Sequence, residues 1–314
     1  MPVEGHVVDL QAAAVLLSGK PDPRLTDMVS LLEGGREALE NIAKTMDFVR
    51  SREPEGVLYS PDHIITLAPV PRPGSIRDCL VFEKHLVQCT RAMLRSRLRP
   101  LASLDLWMEK TFGRGLFKVP KAWYERPLYY KGNPYTVIGP DAGVEWPPYT
   151  KRLDYELEFG IYIGRQGRDI PRDRAAEYIA GYTIFNDFSA RDIQYSEMMG
   201  RLGPAKAKDF DTGNAMGPYL VTPDEIPDPY SLTMVARING EEWSRGNTKD
   251  MYHSFEDIIA YISRGETLYP GEFIGSGTVG SGCGLELGRW LKPGDVVELE
   301  IEGLGILRNH IVKK

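Results

Sequence analysis

Between residues 154 and 164, apolar and acidic side chains alternate in the order Asp-Tyr-Glu-Leu-Glu-Phe-Gly-Ile-Tyr-Ile-Gly. Because successive side chains of a strand point to opposite faces, this alternation predicts a β-strand with Glu156 and Glu158 on one face. Two carboxylates on neighbouring same-side positions repel each other, and a hard divalent cation with oxygen ligands would compensate that repulsion. A half-buried strand that shows a polar face to solvent explains the same pattern, so the residues alone leave both interpretations open.

The chain beyond this strand reads as further strands separated by short helices. Strands are predicted over residues 181–187, which end in acid, and over 232–238, which run into the hairpin signal Asn239-Gly240. Residues 295–301 and 305–312 form a predicted closing hairpin, and short helices are predicted over 173–180, 189–199 and 255–262. The fold class that follows is α+β and β-rich.

The first 70 residues read as a small separate unit. An apolar strand begins at His6, and apolar residues at helical spacing run from Leu25 to Val49, interrupted by Gly34-Gly35. A further strand is predicted from His63, followed by a proline-rich stiff connector over residues 69–74. We therefore predict a small N-terminal α/β domain over residues 1–70 and a main domain over residues 71–314.

The start of the main domain is predicted to be helical. Residues 78–99 carry apolar positions at helical spacing, with Asp78 at the N-terminus, where a carboxylate suits the helix dipole. His85 would then lie two turns further on the same face. Residues 100–150 hold many prolines and aromatic residues without a clear period, which indicates a long surface segment with irregular strands.

Composition restricts the class of function. The 314 residues carry a formal net charge of −6, so no basic field favours a nucleic acid partner. No apolar run approaches the roughly 20 residues that span a bilayer, and the start Met-Pro-Val-Glu-Gly-His lacks the pattern of a signal peptide. The three scattered cysteines, at positions 79, 89 and 283, predict a reducing cytoplasmic compartment and argue against a zinc site.

Several polar groups gather after the strand that ends at Asp187. The run from Asn186 to Gln194 reads Asn-Asp-Phe-Ser-Ala-Arg-Asp-Ile-Gln, in which Asp187 is a candidate third metal carboxylate. Helix capping by Asp187 or Ser189 explains any one of these residues slightly better, but it explains the whole group less well. The glycine-rich run over residues 275–280 predicts a loop that approaches a ligand closely, with Thr278 as a donor. His85 could activate water only if a carboxylate oriented it, and the spacing supplies no such partner.

These pieces, in this order, resemble the fumarylacetoacetate hydrolase superfamily, and the spacing is more similar to its fumarylacetoacetase branch. The similarity runs from about Asp78 to the C-terminus. It rests on the following motifs: Asp78 followed by His85, Tyr-Glu156-Leu-Glu158, the run from Asn186 to Gln194, Lys208-Asp-Phe-Asp-Thr212, Met251-Tyr-His-Ser-Phe, Gly277-Thr278 and Leu285-Glu286-Leu. The resemblance implies a mixed β-roll or barrel-like core and a homodimer.

The resemblance also implies a role for each matched residue. The metal ligands would be Asp78, Glu156, Glu158 and Asp187, holding one divalent cation, Mg²⁺ first, with Ca²⁺ or Mn²⁺ as alternatives. His85 and Glu286 would activate water, Lys208 and Gln194 would stabilise an oxyanion, and Tyr130, Arg191 and Thr278 would contact substrate. The family's carboxylate-binding arginine has no counterpart in register, and Arg91 and Arg95 are the nearest candidates.

The implied activity is hydrolysis of a carbon–carbon bond in a 1,3-diketo acid by water that the His–Glu pair activates. An isomerase or decarboxylase of hydroxymuconate-type diacids would use the same metal-held enolate without an attacking water. A ligand-binding protein without catalysis is the third hypothesis. The leading hypothesis makes the partner a small diketo acid, and none of the three involves nucleic acid or membrane.

Overall fold

A computed structural model describes residues 2, 3, 5–97, 99–113, 115 and 118–313. The side chains at positions 2, 3, 94–97, 99 and 102 lie outside this description. The described part of the chain is a strand-rich α+β structure, which confirms the predicted fold class.

The N-terminal unit combines a small sheet with three helices. Its elements are β1 (Pro2–Val3), β2 (His6–Val8), α1 (Leu10–Ser18), a 3-10 helix (Pro23–Leu25), α2 (Met28–Glu33), α3 (Gly35–Arg52) and β3 (Leu58–Tyr59). The predicted break in the long helix lies at Gly34-Gly35, between α2 and α3. The strand predicted from His63 is wrong, because Pro61–His63 form a 3-10 helix. The side chain of Ile65 is 88% exposed, so it makes no buried contact that would stabilise a strand. The division after residue 70 stays a proposal.

The remaining elements are β4 (Ile76–Cys79), α4 (Glu83–Arg97), α5 (Arg99–Phe112), α6 (Lys121–Glu125), β5 (Tyr129–Gly132), β6 (Val137–Ile138), β7 (Gly143–Glu145), β8 (Leu153–Asp154), β9 (Leu157–Ile163), β10 (Gly167–Arg168), β11 (Ile179–Asp187), β12 (Ser189–Ala190), α7 (Arg191–Met199), β13 (Asn214–Val221), β14 (Thr233–Ile238), β15 (Glu241–Asn247), α8 (Phe255–Ile262), β16 (Thr267–Leu268), β17 (Phe273–Gly275), α9 (Gly284–Leu287), β18 (Val296–Ile301) and β19 (Gly305–Val312). Short 3-10 helices occupy Pro61–His63, Pro134–Thr136, Arg172–Tyr178 and Thr248–Asp250.

The larger sheet has the strand order β5-β4-β17-β9-β11-β13-β6. Strand β9 pairs antiparallel with β11, so Glu158 lies opposite Phe185 in a neighbouring strand. On its other side β9 pairs with β17, which in turn runs parallel to β4 with Gly275 opposite Asp78. This order carries residues that are far apart in sequence to one end of a single sheet.

A second sheet, in the order β15-β14-β18-β19-β7, packs against the first around the main hydrophobic core. The predicted hairpin at Asn239-Gly240 joins β14 to β15, and the predicted closing hairpin is β18 with β19. Helix α8 has the predicted bounds, because Ser254 and Asp257 form a capping box at its start. None of the helices in the described part of the chain combines the length and apolar character that a bilayer crossing requires.

The prediction for residues 78–150 is wrong in two respects. Asp78 belongs to strand β4, and the helix that carries His85 begins only at Glu83. An arginine is usually exposed, but Arg77 is buried and forms ion pairs with Glu266 and Glu272. The pattern of polar and apolar residues therefore does not indicate this strand. Residues 99–112 form helix α5 where irregular strands were expected.

Candidate active site

Three acids from three strands of the larger sheet meet at one point. Asp78 on β4, Glu158 on β9 and Asp187 at the end of β11 each offer a carboxylate oxygen, and these oxygens lie within 4.8 Å of one another. All three side chains are buried, and so is Glu156. The alternative in which Glu156 and Glu158 form a solvated strand face is therefore wrong.

Two oxygens of this acid cluster lack a hydrogen-bond partner. Glu158 Oε2 and Asp187 Oδ1 are buried and unpaired among the described residues. Two other oxygens have donors: Thr278 donates its hydroxyl to Glu158 Oε1 at 2.9 Å, and the Gly277 amide donates to Asp78 Oδ1 at 3.1 Å. Buried polar atoms are rarely left without a partner, and carboxylate oxygens are the ligands that Mg²⁺ and Ca²⁺ prefer. The donor set therefore fits a hard divalent cation.

The electrostatics of the cluster are consistent with such a fit. Burial and the neighbouring charge of Asp187 raise the pKa of Asp78 to about 8. Burial raises the pKa of Asp187 to about 6, and burial together with Asp78 raises the pKa of Glu158 well above its usual value. Like charges held in a low-dielectric site disfavour each other's ionisation, so a cation would be needed to keep all three acids charged.

Glu156 is not one of these three acids, but Lys208 links it to Asp187, and it faces positive side chains. Arg191 Nη2 donates to Glu156 Oε1 at 2.9 Å, and the Ser189 hydroxyl donates to Glu156 Oε2 at 3.2 Å. Lys208 Nζ forms short contacts with both Glu156 and Asp187. Burial would raise the pKa of Glu156, but Arg191 and Lys208 outweigh it and hold that pKa well below the usual range. Its role as a fourth metal ligand stays a prediction.

His85 has the carboxylate partner that its sequence spacing could not supply. Its Nδ1 lies 3.3 Å from Glu286 Oε2, and its Nε2 lies 3.8 Å from Glu156 Oε1. Glu286 is fixed because its oxygens also accept backbone N–H groups of Ser281 and Cys283 at 3.0 and 3.1 Å. Burial would lower the pKa of His85, but the charge of Glu286 outweighs it and raises that pKa to about 10. A cation among the nearby acids would oppose this rise.

Arg191 is buried and fully engaged. Its Nε donates to Asp154 Oδ2 at 2.8 Å, and its Nη1 donates to Gln194 Oε1 at 2.8 Å. Tyr130 donates its hydroxyl to Asp187 Oδ2 at 2.5 Å. Sequence reasoning missed Asp154, although it precedes the Glu-x-Glu strand and also accepts the Gly284 amide at 2.8 Å.

A cavity of about 1090 Å³ opens onto these groups. The predicted residues that line it include Asp78, Glu158, His85, Lys208 and Gln194. The lining residues that sequence reasoning missed include Cys89, Arg152 and Trp290.

Of the two arginines nearest to the family pattern, Arg91 has a guanidinium that is already engaged in ion pairs. Arg91 pairs with Asp105 Oδ2 at 2.6 Å and Glu109 Oε2 at 2.7 Å. The side chain of Arg95 lies outside the described residues. Arg152, by contrast, lies on the cavity wall with its guanidinium carbon 5.2 Å from the centre of the Trp290 ring.

Comparison with known proteins identifies the family. A model described as fumarylacetoacetate (FAA) hydrolase C-terminal matches residues 107–312. The human protein named oxaloacetate tautomerase FAHD2A, mitochondrial, is 39% identical over 197 residues, which span 62% of this chain and 60% of that protein. The corresponding rat protein, oxaloacetate tautomerase Fahd2a, is 32% identical over 312 residues, covering 99% of this chain and 85% of its own length.

Two solved structures have the same fold. Fumarylacetoacetate hydrolase from Exiguobacterium antarcticum aligns with a TM-score of 0.63 and 30% identity, over 81% of this chain and 80% of its own. The 5-carboxymethyl-2-hydroxymuconate delta-isomerase from Mycobacterium smegmatis aligns with a TM-score of 0.63 and 27% identity, over 83% and 84%. Because the family model matches well over half of the sequence and the rat relative aligns along nearly all of it, the chain belongs to the fumarylacetoacetate hydrolase family of enzymes.

Proposed function

We propose that this protein is a metal-dependent hydrolase that cleaves a carbon–carbon bond in a 1,3-diketo acid. The observation that carries the proposal is the contact between His85 Nδ1 and the fixed carboxylate of Glu286, beside a buried cluster of acids and at the wall of one cavity. A histidine oriented by a carboxylate is a general base within reach of a cavity that admits water.

The acids would hold the cation on which the reaction depends. Asp78, Glu158 and Asp187, with Glu156 as the fourth ligand, would bind one divalent ion, Mg²⁺ first and Ca²⁺ or Mn²⁺ as alternatives. Such an ion, when bound, polarises adjacent substrate oxygens as a Lewis acid. The two unpaired oxygens of Glu158 and Asp187 support this assignment.

The protein's own residues would carry the proton transfers. The Glu286 carboxylate, 3.3 Å from His85 Nδ1, favours the tautomer with its proton on Nδ1. With a cation on the acids to oppose the raised pKa of His85, the neutral imidazole would take a proton from water through Nε2. The water oxygen forms a bond to the substrate carbonyl carbon, and Lys208 and Gln194 stabilise the oxyanion that results. The carbon–carbon bond then breaks with its electron pair on the enolate carbon, which recovers the proton from His85.

A second candidate function is tautomerisation or isomerisation of a 2-oxo diacid. A decarboxylase of such a diacid would form the same enolate intermediate. The rat protein that is aligned along nearly all of this chain is named an oxaloacetate tautomerase, which favours this class. The same His85 would move a proton between carbon and oxygen of the substrate, and no water would attack.

The test is product analysis with Mg²⁺ present, on acylpyruvates, fumarylpyruvate, fumarylacetoacetate and oxaloacetate. Hydrolysis predicts two fragments in equal amounts, whereas tautomerisation predicts a changed enol absorbance with the carbon skeleton intact, and decarboxylation predicts released carbon dioxide. His85→Ala and Glu158→Ala should abolish turnover, while His63→Ala, at an exposed position of the N-terminal unit, should retain it. Equal rates in all three variants would refute the site, and metal binding without turnover of any substrate would favour a ligand-binding protein.

A further inference from the structure

Two of the three cysteines lie together beside the catalytic histidine. His85, Cys89 and Cys283 each present a ligand atom, and these atoms lie within 4.8 Å of one another. The scatter of cysteines along the sequence argued against a zinc site, but the fold joins two positions that are far apart. Cys79 is the remaining cysteine, and it is not part of this group.

The helix brings the first two ligands together. His85 and Cys89 are four residues apart on α4, so they share one face of the helix. Cys89 Sγ lies 3.6 Å from His85 Nε2 and 3.7 Å from Nδ1. In a tetrahedral zinc site with Zn–S near 2.3 Å and Zn–N near 2.0 Å, sulfur and nitrogen ligands are about 3.6 Å apart. The sulfur–nitrogen distance in this protein therefore matches that of a zinc site, and the imidazole ring has to turn so that one nitrogen faces the ion, because Sγ lies almost equally far from both ring nitrogens.

The third ligand is held rigidly by the backbone. Cys283 pairs with Glu156 in an isolated β-bridge, and the neighbouring Gly282 carbonyl accepts the Leu157 amide at 3.0 Å. Cys283 is fully buried and stands directly before α9, where Glu286 Oε2 accepts its amide and lies 3.3 Å from its Sγ. A ligand atom fixed in this way is preorganised for binding.

We propose that His85, Cys89 and Cys283 form a second metal site, selective for a thiophilic divalent cation such as Zn²⁺, and that its occupancy withdraws His85 from the reaction. The sulfur donors distinguish it from the nearby acids, because thiolates prefer zinc whereas carboxylates alone suit Mg²⁺ and Ca²⁺. Both thiols release their protons to solvent when they bind the ion. His85 and Cys89 line the cavity, which provides the entry path. The proposal that Zn²⁺ inhibits the enzyme rests on the proposed function of His85. The proposal that Zn²⁺ binds at this site does not.

Binding is tested by spectroscopy on the full chain, reduced with a phosphine and saturated with Mg²⁺ so that the acids are occupied. Co²⁺ is added as the probe, because cobalt bound to thiolates has a near-ultraviolet charge-transfer band that cobalt bound only to carboxylates lacks. We expect the band to saturate at one equivalent and to disappear on addition of Zn²⁺. Cys89→Ser and Cys283→Ser should lose the band, and the matched control Cys79→Ser should keep it. Thermal unfolding of each variant shows whether the fold is retained.

Inhibition is tested separately, with each variant compared to its own zinc-free rate. Zn²⁺ should inhibit the wild type at a concentration at least about tenfold lower than it inhibits Cys89→Ser, because loss of a ligand should weaken the site at least as much as loss of a group that only orients a ligand, which typically costs about 10–100-fold in metal affinity. Absence of the cobalt band in the wild type, or an equal band in a folded Cys89→Ser, Cys283→Ser double variant, would overturn the metal site. A normal band without inhibition would overturn only the proposed effect on His85.

Discussion

Asp154 Oδ2 accepts a hydrogen bond from Arg191 Nε at 2.8 Å, and both side chains are buried. The same carboxylate accepts the amides of Gly284 and Leu285 at 2.8 and 3.0 Å, so it joins the start of α7 to the start of α9. Through these contacts one acid positions both Arg191, which holds Glu156, and the helix that carries Glu286. We infer that Asp154 acts as a positioning residue for the site.

Asp154→Ala should therefore destabilise the protein strongly. Removing one member of a buried ion pair leaves the other charge without compensation, which costs about 3–5 kcal/mol. The measurement is the free energy of unfolding from denaturant titration. Asp173→Ala, at an exposed position, is the matched control and should change that free energy little. A loss for Asp154→Ala no larger than that of the control would show that the pair does not organise the site.

Stabilisation by Mg²⁺ should increase with pH. The pKa of Asp78 is raised to about 8 and that of Asp187 to about 6, against a usual value of 3.8. A carboxyl with a raised folded pKa binds its proton more tightly in the folded state, so its stabilising contribution is complete below pH 3.8 and is lost as pH rises toward 8. A cation competes with these protons for the carboxylates. It therefore stabilises the folded state most at a pH at which the carboxylates are ionised.

The measurement is the change in Tm on adding excess Mg²⁺ at pH 5.5 and at pH 8. We expect the larger increase at pH 8, by a few degrees, because each kcal/mol of stabilisation raises the Tm of a protein of about 300 residues by roughly 1.5 °C. Glu158→Gln should reduce the increase at pH 8, and the exposed control Glu225→Gln should not. An increase that is the same at both pH values would contradict the assignment of the acids as ligands.

The elements of the fold that the sequence predicted correctly have a local pattern. The strand that contains Glu158 alternates with a period of two, and the hairpin at Asn239-Gly240 has a turn signal that few other structures share. The partners of these elements depend on contacts across the fold. Glu286 reaches His85 from the far end of the chain, and only the strand order places Asp78 beside Glu158.

Strand β4 illustrates why the remaining part could not be predicted. Its four residues are all buried, yet they include Arg77 and Asp78, which resemble a solvated surface or a helix start. The burial of Arg77 is tolerated because Glu266 and Glu272, almost two hundred residues away, neutralise its charge. Cys89 and Cys283 also come together only through the tertiary fold. Their spacing in the sequence does not predict that they lie close together.

Gly275 should be required for the acid cluster. It lies opposite Asp78 in the register of β17 and β4, and a Cβ added there would overlap the Asp78 carboxylate. Gly275→Ala should push this carboxylate away from Glu158 and abolish the increase in Tm caused by Mg²⁺, while the fold is retained. Gly74→Ala is the matched control, because its added Cβ would meet only the Glu272 side chain, at an ordinary distance of 3.7 Å. An undiminished Mg²⁺ effect in Gly275→Ala would refute the close packing of this pair.

Arg152 should recognise a carboxylate at the far end of the substrate. It lines the cavity, its guanidinium lies over Trp290, and no carboxylate among the described residues forms a salt bridge with it. A guanidinium held on an aromatic face is well suited to bind a carboxylate through two parallel hydrogen bonds. Arg91, the candidate from the sequence, is instead neutralised by Asp105 and Glu109.

Arg152→Met should therefore raise the KM for a diacid substrate about tenfold or more, since a hydrogen bond to a charged group contributes about 1.5–3 kcal/mol. The KM for a substrate with a methyl group in place of the second carboxylate should change little, because that substrate makes no such bond. Arg165→Met is the matched control, as Arg165 also stacks on an aromatic ring, that of Tyr178, but does not line the cavity. If both substrates lost affinity equally, Arg152 would support the shape of the cavity rather than bind the carboxylate.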